Sequence, residues 1–155
     1  MTMVVIVPCS RHYDESGQWP CPVGQARARC ARQLVEEARA DPWVEVVKLA
    51  LGAGREASRT SGPTLAECSE RYLCTTRPKC EILVNHSDYQ AVTTLSEMRW
   101  VVNRVQSLYP EQRVEYWFVT SPRHHWRVGF ICRHFSPGIR ARVFPSHDRP
   151  MSWVV

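Results

Sequence analysis

The chain has 155 residues, of which 44% are hydrophobic and 23% are charged. This balance is typical of a globular domain and argues against a disordered chain, which needs few apolar residues and a high net charge. The formal net charge is +5, and of the 20 lysine and arginine residues only Lys48 and Lys79 are lysines. Arginine binds carboxylates and phosphates with two parallel hydrogen bonds, so this usage indicates either an anionic ligand or the codon bias of a GC-rich genome.

Neither the termini nor the seven cysteines suggest export or membrane insertion. The first residues, MTMVVIVPCSR, include a short apolar run with no basic residues ahead of it, too short for a signal peptide. No other segment approaches the 18 apolar residues of a membrane span. We therefore expect a cytoplasmic protein with reduced thiols.

The first half of the chain predicts two strands and two helices. Residues 3–8 and 44–51 are apolar and rich in β-branched side chains, as in strands buried on both faces. Residues 25–40 carry small and apolar side chains at three- and four-residue spacing, which predicts a helix. Thr64 followed by Glu67 forms a capping-box pattern at the start of a second helix, over residues 64–75.

The second half continues the same alternation. Residues 81–85 and 114–120 predict strands, and residues 92–108 and 122–135 predict helices. Residues 139–143 alternate apolar side chains with arginine, which predicts a final strand at a sheet edge, and the tail from residue 146 shows no clear element. The pattern favours one α/β domain over residues 1–155, a three-layer Rossmann-like fold with a mostly parallel five-stranded sheet.

Polar, small or titratable residues follow each of the first four predicted strands. Ligands of parallel sheets bind beyond the carboxyl ends of the strands. The segments at these positions are Cys9-Ser10-Arg11-His12, Gly52-Ala53-Gly54, Asn85-His86-Ser87-Asp88 and Thr120-Ser121-Pro122-Arg123-His124. We therefore expect a polar site at this edge of the sheet.

The segment after the fourth strand is the most specific of these. In Thr-Ser-x-x-His-x-x-Arg, His124 and Arg127 are one turn apart at the start of a helix and share a face. Backbone N–H groups at a helix start attract anions, and Ser121 lies at that point. The alternative interpretation is that Ser121 only caps the helix and His124 is a surface residue.

These motifs resemble those of the YdcF/SanA/ElyC-like family of bacterial α/β domains. That family shows an Arg-x-x-x-Ala helix, a glycine-rich turn after the second strand, a Ser-Glu-Ala helix start, a Ser-x-Asn-Thr loop and a final Val-Thr-Ser-x-x-His-x-x-Arg. The matching positions in this chain are Arg27 with Ala31, Gly52 to Gly54, Glu67, Ser87 with Thr94, and Val119 to Arg127. The resemblance spans about residues 3 to 135. The first strand ends in Pro-Cys-Ser instead of glycines, which indicates a distant or specialised member.

The resemblance and the strand ends together suggest roles for individual residues. His124 is the candidate general acid or base, and Glu67 would orient His124 or an arginine or hold a ribose hydroxyl. Arg27 and Arg127 would clamp anionic groups of the ligand. The remaining ligand contacts are expected from small and hydroxyl-bearing residues, namely Ser10, Gly52, Gly54, Thr94 and Ser121.

The expected partner is an anionic small molecule, phosphorylated or nucleotide-like, and the expected activity is that of a hydrolase or a transferase. S-adenosylmethionine is compatible with the fold by analogy alone. A non-catalytic sensor of the same ligands is the alternative.

Two further classes of site are disfavoured. Zinc would need Cys9, His12, Cys21 and Cys30, but the last two lack the short spacing of a metal knuckle. Nucleic acid would need the basic C-terminal half, with its arginines up to Arg149 and interleaved aromatic residues such as Trp117, Trp126 and Phe135. A solvated face with core aromatics explains the same residues.

Overall fold

A computed structural model describes residues 2–56, 59–134 and 138–146 of the chain. Strands and helices alternate throughout this part. In chain order they are β1 (Thr2–Pro8), α1 (Pro22–Ala40), β2 (Val44–Leu51), α2 (Leu65–Cys74), β3 (Glu81–Val84), α3 (Thr94–Leu108), β4 (Val114–Thr120), a 3₁₀ turn (Pro122–His124), α4 (His125–His134) and β5 (Arg140–Pro145).

The strands form one sheet in the order β3-β2-β1-β4-β5, and every pair is parallel. β1 is central because its residues 3–8 are apolar and lie within the sheet between β2 and β4. This arrangement confirms the predicted α/β class with a three-layer Rossmann-like fold. The sheet is entirely parallel.

Alternate residues of β1 point to two separate cores. Met3, Val5 and Val7 pack on the face covered by α3 and α4, while Val4 and Ile6 pack on the face covered by α1 and α2. Small residues of α1, including Ala31, allow that helix to approach the sheet closely. Helices therefore cover both faces of the sheet at β1 and exclude water, which explains why β1 has no polar side chain between residues 3 and 8.

Most element boundaries differ from the predicted ones by a few residues, for local reasons. α1 begins at Pro22, three residues early, because proline suits the first turn of a helix. α3 begins at Thr94, two residues late, because the Thr93 side chain caps it. The capping box of Thr64 and Glu67 forms as predicted. The predicted end of the fourth helix at residue 135 and the tail after residue 146, with Arg149, lie outside the described residues.

The strand order creates a reversal point beside β1. The chain passes from β1 to β2 on one side, and it returns to the other side of β1 with β4. Ligands of open α/β sheets bind where the connections diverge in this way, at the carboxyl ends of the two strands. The described helices include none with the length and apolarity needed to cross a bilayer.

Candidate functional site

A cavity of about 430 Å³ lies at the carboxyl ends of β1 and β4, at the reversal point of the sheet. Five segments surround it: the loop after β1, helix α1, the start of α3, the end of β4 and the start of α4 with the turn before it. Its lining residues are Cys9, Ser10, Arg11, His12, Arg27, Val92, Thr93, Thr94, Thr120, His124, Arg127 and Val128. Five of the residues predicted from the sequence are therefore brought together, namely Ser10, Arg27, Thr94, His124 and Arg127.

Arg27 is buried, with 3% of its surface exposed, and it holds the cavity wall together. Its Nε and Nη2 donate to Ser121 Oγ at 3.1 and 2.9 Å. Its Nη1 donates to the carbonyl oxygens of Cys9 at 3.1 Å and Ser10 at 3.4 Å. The guanidinium thus joins the end of β1 to the residue after β4. The sequence-based expectation of a clamp on the ligand needs correction, because these donors bind the protein itself and Arg27 contributes mainly its charge.

The predicted ligand contact of Ser121 needs the same correction as that of Arg27. It is 1% exposed and lies behind the cavity lining, where its hydroxyl accepts the two hydrogen bonds from Arg27. Its side chain does not cap the following 3₁₀ turn, although its carbonyl oxygen accepts the backbone N–H of His124 at 2.9 Å. Ser121 therefore positions the β4 end relative to β1 and is not part of the cavity surface.

Glu97 is a buried carboxyl group that sequence reasoning did not select as a site residue. It lies in the first turn of α3, is 4% exposed, and its Oε1 accepts the backbone N–H of Ser10 at 3.0 Å. Burial raises the pKa of Glu97 to about 7, while the Ser10 amide and the charge of Arg27 oppose that shift. A signal existed in the sequence, because Glu97 occupies the same helical face as the core residues Val101 and Val105.

His124 lies in the 3₁₀ turn and lines the cavity. Partial burial and nearby guanidinium groups lower the pKa of its imidazole below the ordinary value; these groups belong to Arg27, Arg127, Arg11 and Arg123. The lowered pKa favours the neutral ring at neutral pH, which is the form that accepts a proton. The same arginines give the cavity a positive potential.

The titratable side chains that carry charge in the described cavity lining are all basic. Arg11, Arg27 and Arg127 line it together with His12 and His124, whereas none of the described lining residues is Asp or Glu. Two carboxylates contact lining residues without lining the cavity themselves: Glu97 Oε1 accepts the backbone N–H of Ser10 at 3.0 Å, and Glu56 Oε1 lies 2.9 Å from His12 Nδ1. Such a cavity favours an anionic occupant.

Glu67 does not reach His124. Its Oε1 accepts the backbone N–H of Thr64 at 2.9 Å, and its Oε2 lies 3.2 Å from His86 Nδ1. The predicted role of Glu67 in orienting His124 therefore has no contact to support it, and its alternative roles, orienting an arginine or holding a ribose hydroxyl, stay predictions. The carboxylate is occupied by the capping box that the same sequence pattern indicated.

Gly52 and Gly54 are buried and contact neighbouring backbone instead of lining the cavity. A Cβ at Gly52 would lie 2.6 Å from the carbonyl oxygen of Glu97, and one at Gly54 would meet the carbonyl oxygen of Tyr89. The predicted ligand contacts of both glycines need the same correction as Ser121. Glycine is required here because α3 and the segment before it pack directly on the end of β2.

The cysteines and histidines show no metal-binding arrangement in residues 2–56, 59–134 and 138–146, where no three His, Cys, Asp or Glu side chains form a suitable group. Cys9 lines the cavity, but burial raises the pKa of its thiol well above the usual range. A thiol is a poor nucleophile unless it ionises, so Cys9 is a packing residue.

Comparisons of the chain with family models, curated proteins and solved structures give no match.

Proposed function

We propose that this protein binds a phosphorylated small molecule in the cavity between β1 and β4 and acts on it with His124 as a general acid or base. The observation that carries the proposal is the cationic lining, in which Arg11, Arg127 and His124 surround an opening with no carboxylate among the described lining residues. Phosphate oxygens accept the paired hydrogen bonds that guanidinium groups donate.

The buried charge of Arg27 supports the same ligand class. Its guanidinium donates to oxygen atoms of Cys9, Ser10 and Ser121, and its charge also acts on the nearby carboxyl group of Glu97. Because Arg27 lines the cavity, its positive charge contributes to the electrostatic potential there.

The start of α3 adds to this potential. Thr93 and Thr94 line the cavity, and α3 continues for 15 residues away from it. The amino end of a helix carries a partial positive charge and presents backbone N–H groups. S-adenosylmethionine fits the lining less well, because its sulfonium and ammonium groups are cationic.

His124 would accept the proton of an attacking water or hydroxyl group as the new bond to phosphorus forms and the ester bond breaks. Its lowered pKa keeps the proton-accepting form populated at neutral pH. A sensor domain would need the arginines but not this imidazole. Loss of turnover with retained binding therefore separates the enzyme from the sensor.

The test uses thermal shift with inorganic phosphate, nucleoside monophosphates, sugar phosphates and S-adenosylmethionine, followed by turnover assays on the phosphate esters that bind. We expect a concentration-dependent rise in melting temperature with the phosphorylated ligands. Arg127→Ala should weaken their binding about ten-fold or more, because a charge-assisted hydrogen bond is lost. Arg104→Ala is the matched control, since Arg104 is exposed on α3 and does not line the cavity.

His124→Ala should reduce turnover of a phosphate ester by roughly 10²–10⁴-fold and leave its affinity nearly unchanged. Normal turnover in this variant would reject the role of His124, and binding without turnover in the wild type would favour the sensor. Stabilisation by S-adenosylmethionine alone would overturn the proposed ligand class. Membership of the YdcF/SanA/ElyC-like family stays a prediction from the motifs.

A further inference from the structure

The excess positive charge of this protein is concentrated in one segment, in which Arg127 lines the cavity and the other arginines do not. Residues 121–146 contain arginine at five positions and no Asp or Glu, and this excess equals the formal net charge of +5 for the whole chain. The arginines are Arg123, Arg127, Arg133, Arg140 and Arg142, all of them exposed. The remainder of the chain is electrically balanced.

Aromatic side chains are exposed within the same segment. Trp126 is 67% exposed and Phe130 is 45% exposed, and their four-residue spacing places them on one side of α4. Trp117, by contrast, is 7% exposed and belongs to the core, as the solvated-face interpretation expected. Trp126 is thus the aromatic residue that the core does not explain.

Charge and aromatic groups share one side of α4 and of the turn before it. We define this α4 surface by Arg123, Trp126, Phe130 and Arg133. Arg140 and Arg142 are not part of it, because they alternate along β5 with Ala141 and Val143, which pack on the core beneath α4, and therefore project from the opposite face of the sheet. α4 and the preceding turn together run for about 20 Å at about 1.5 Å per residue, with arginine near both ends.

We propose that the α4 surface binds single-stranded nucleic acid. Arginines at the two ends of α4 would contact successive backbone phosphates, and Trp126 would stack on a base between them. Stacking on an aromatic ring is available to every base, so this surface would bind with little sequence preference.

Charge complementarity decides between the candidate occupants. A second copy of this chain would place like charges opposite one another, which disfavours self-association through this surface. A lipid bilayer would need a larger apolar area, whereas only two aromatic rings are exposed here among several arginines. A polyanion with flat aromatic groups matches both the arginines and Trp126.

This inference goes beyond the proposed function and does not depend on it. Arg133 does not line the cavity, and neither does Trp126. Variants at these positions should leave the thermal shift with inorganic phosphate unchanged. A failure of nucleic-acid binding therefore leaves the cavity proposal intact, and the reverse also holds.

The experiment measures fluorescence anisotropy of a short fluorescein-labelled oligothymidylate over a series of salt concentrations. We expect saturable binding by the wild type that weakens steeply with salt. Trp126→Ala should weaken it roughly ten-fold. Trp43→Ala is the matched control, because Trp43 is 77% exposed just before β2 and lies outside the surface, and it should bind as the wild type does.

Arg133→Ala should bind more weakly and lower the slope of log affinity against log salt by about one. Equal affinities of Trp126→Ala and Trp43→Ala would overturn the proposal, and so would the absence of saturable binding at low salt. Binding to phosphatidylserine vesicles without binding to the oligonucleotide would overturn it in favour of a membrane surface.

Discussion

The buried carboxyl of Glu97 makes the stability of this protein depend on pH in a way that one substitution should remove. Burial raises its pKa from 4.5 to about 7. Between these values the folded state holds a proton that the unfolded state has released, so the free energy of unfolding falls as the pH rises. At 1.36 kcal/mol per pH unit the full difference is about 3.4 kcal/mol, of which about 2.5 kcal/mol falls between pH 5 and pH 8.

Glu97→Gln keeps an oxygen that can accept the Ser10 amide and removes the ionisation. We expect this variant to be more stable than the wild type at pH 8 by about 2–3 kcal/mol and much closer to it at pH 5. Urea unfolding followed by tryptophan fluorescence at several pH values measures both curves. Glu111→Gln is the control, because Glu111 is exposed. A wild-type curve and a Glu97→Gln curve with the same pH dependence would refute the reasoning.

Three further substitutions test the packing around the site and within α4. Ser121→Ala removes the hydroxyl that accepts two hydrogen bonds from buried Arg27. We expect this variant to lower the free energy of unfolding by about 1–3 kcal/mol. An unchanged midpoint of urea unfolding would contradict the contacts described. Gly52→Ala would place Cβ 2.9 Å from Val101 Cγ2 and should cost about 1–3 kcal/mol or more. Gly129→Ala, whose Cβ meets nothing within 4 Å in helix α4, should instead stabilise the protein by about 0.5–1 kcal/mol. Urea unfolding of both glycine variants tests whether α3 packs as closely on Gly52 as described, with Gly129 as the unpacked comparison.

The fold could be predicted because its signals are local in sequence. The run of β-branched residues in β1 can satisfy its apolar side chains only inside a sheet covered on both faces. The capping box at Thr64 marks a helix start from four residues alone. The alternation of such elements then restricts the topology to parallel connections.

The division of roles within the site could not be predicted in the same way. Arg27 was expected to bind the ligand, but its partners Cys9 and Ser121 are distant in sequence, and only the folded chain shows that they use its donors. Glu67 has a local partner in the capping box, which makes it unavailable to His124. The helical face that Glu97 shares with Val101 and Val105 indicated its burial, but its partner Ser10 lies 87 positions away in sequence, so only the folded chain shows their contact.

The central claim is that the cavity beside His124 binds phosphate. Its most direct test is an NMR titration of the histidine ring resonances with pH, in the absence and presence of inorganic phosphate. We expect the pKa of His124 to start below its ordinary value, as burial and the surrounding arginines require, and to rise when phosphate occupies the cavity. The resonances of His86, which lies beside Glu67, should not shift when phosphate is added. The account would be contradicted if the pKa of His124 stayed unchanged at phosphate concentrations far above the dissociation constant of the phosphate complex.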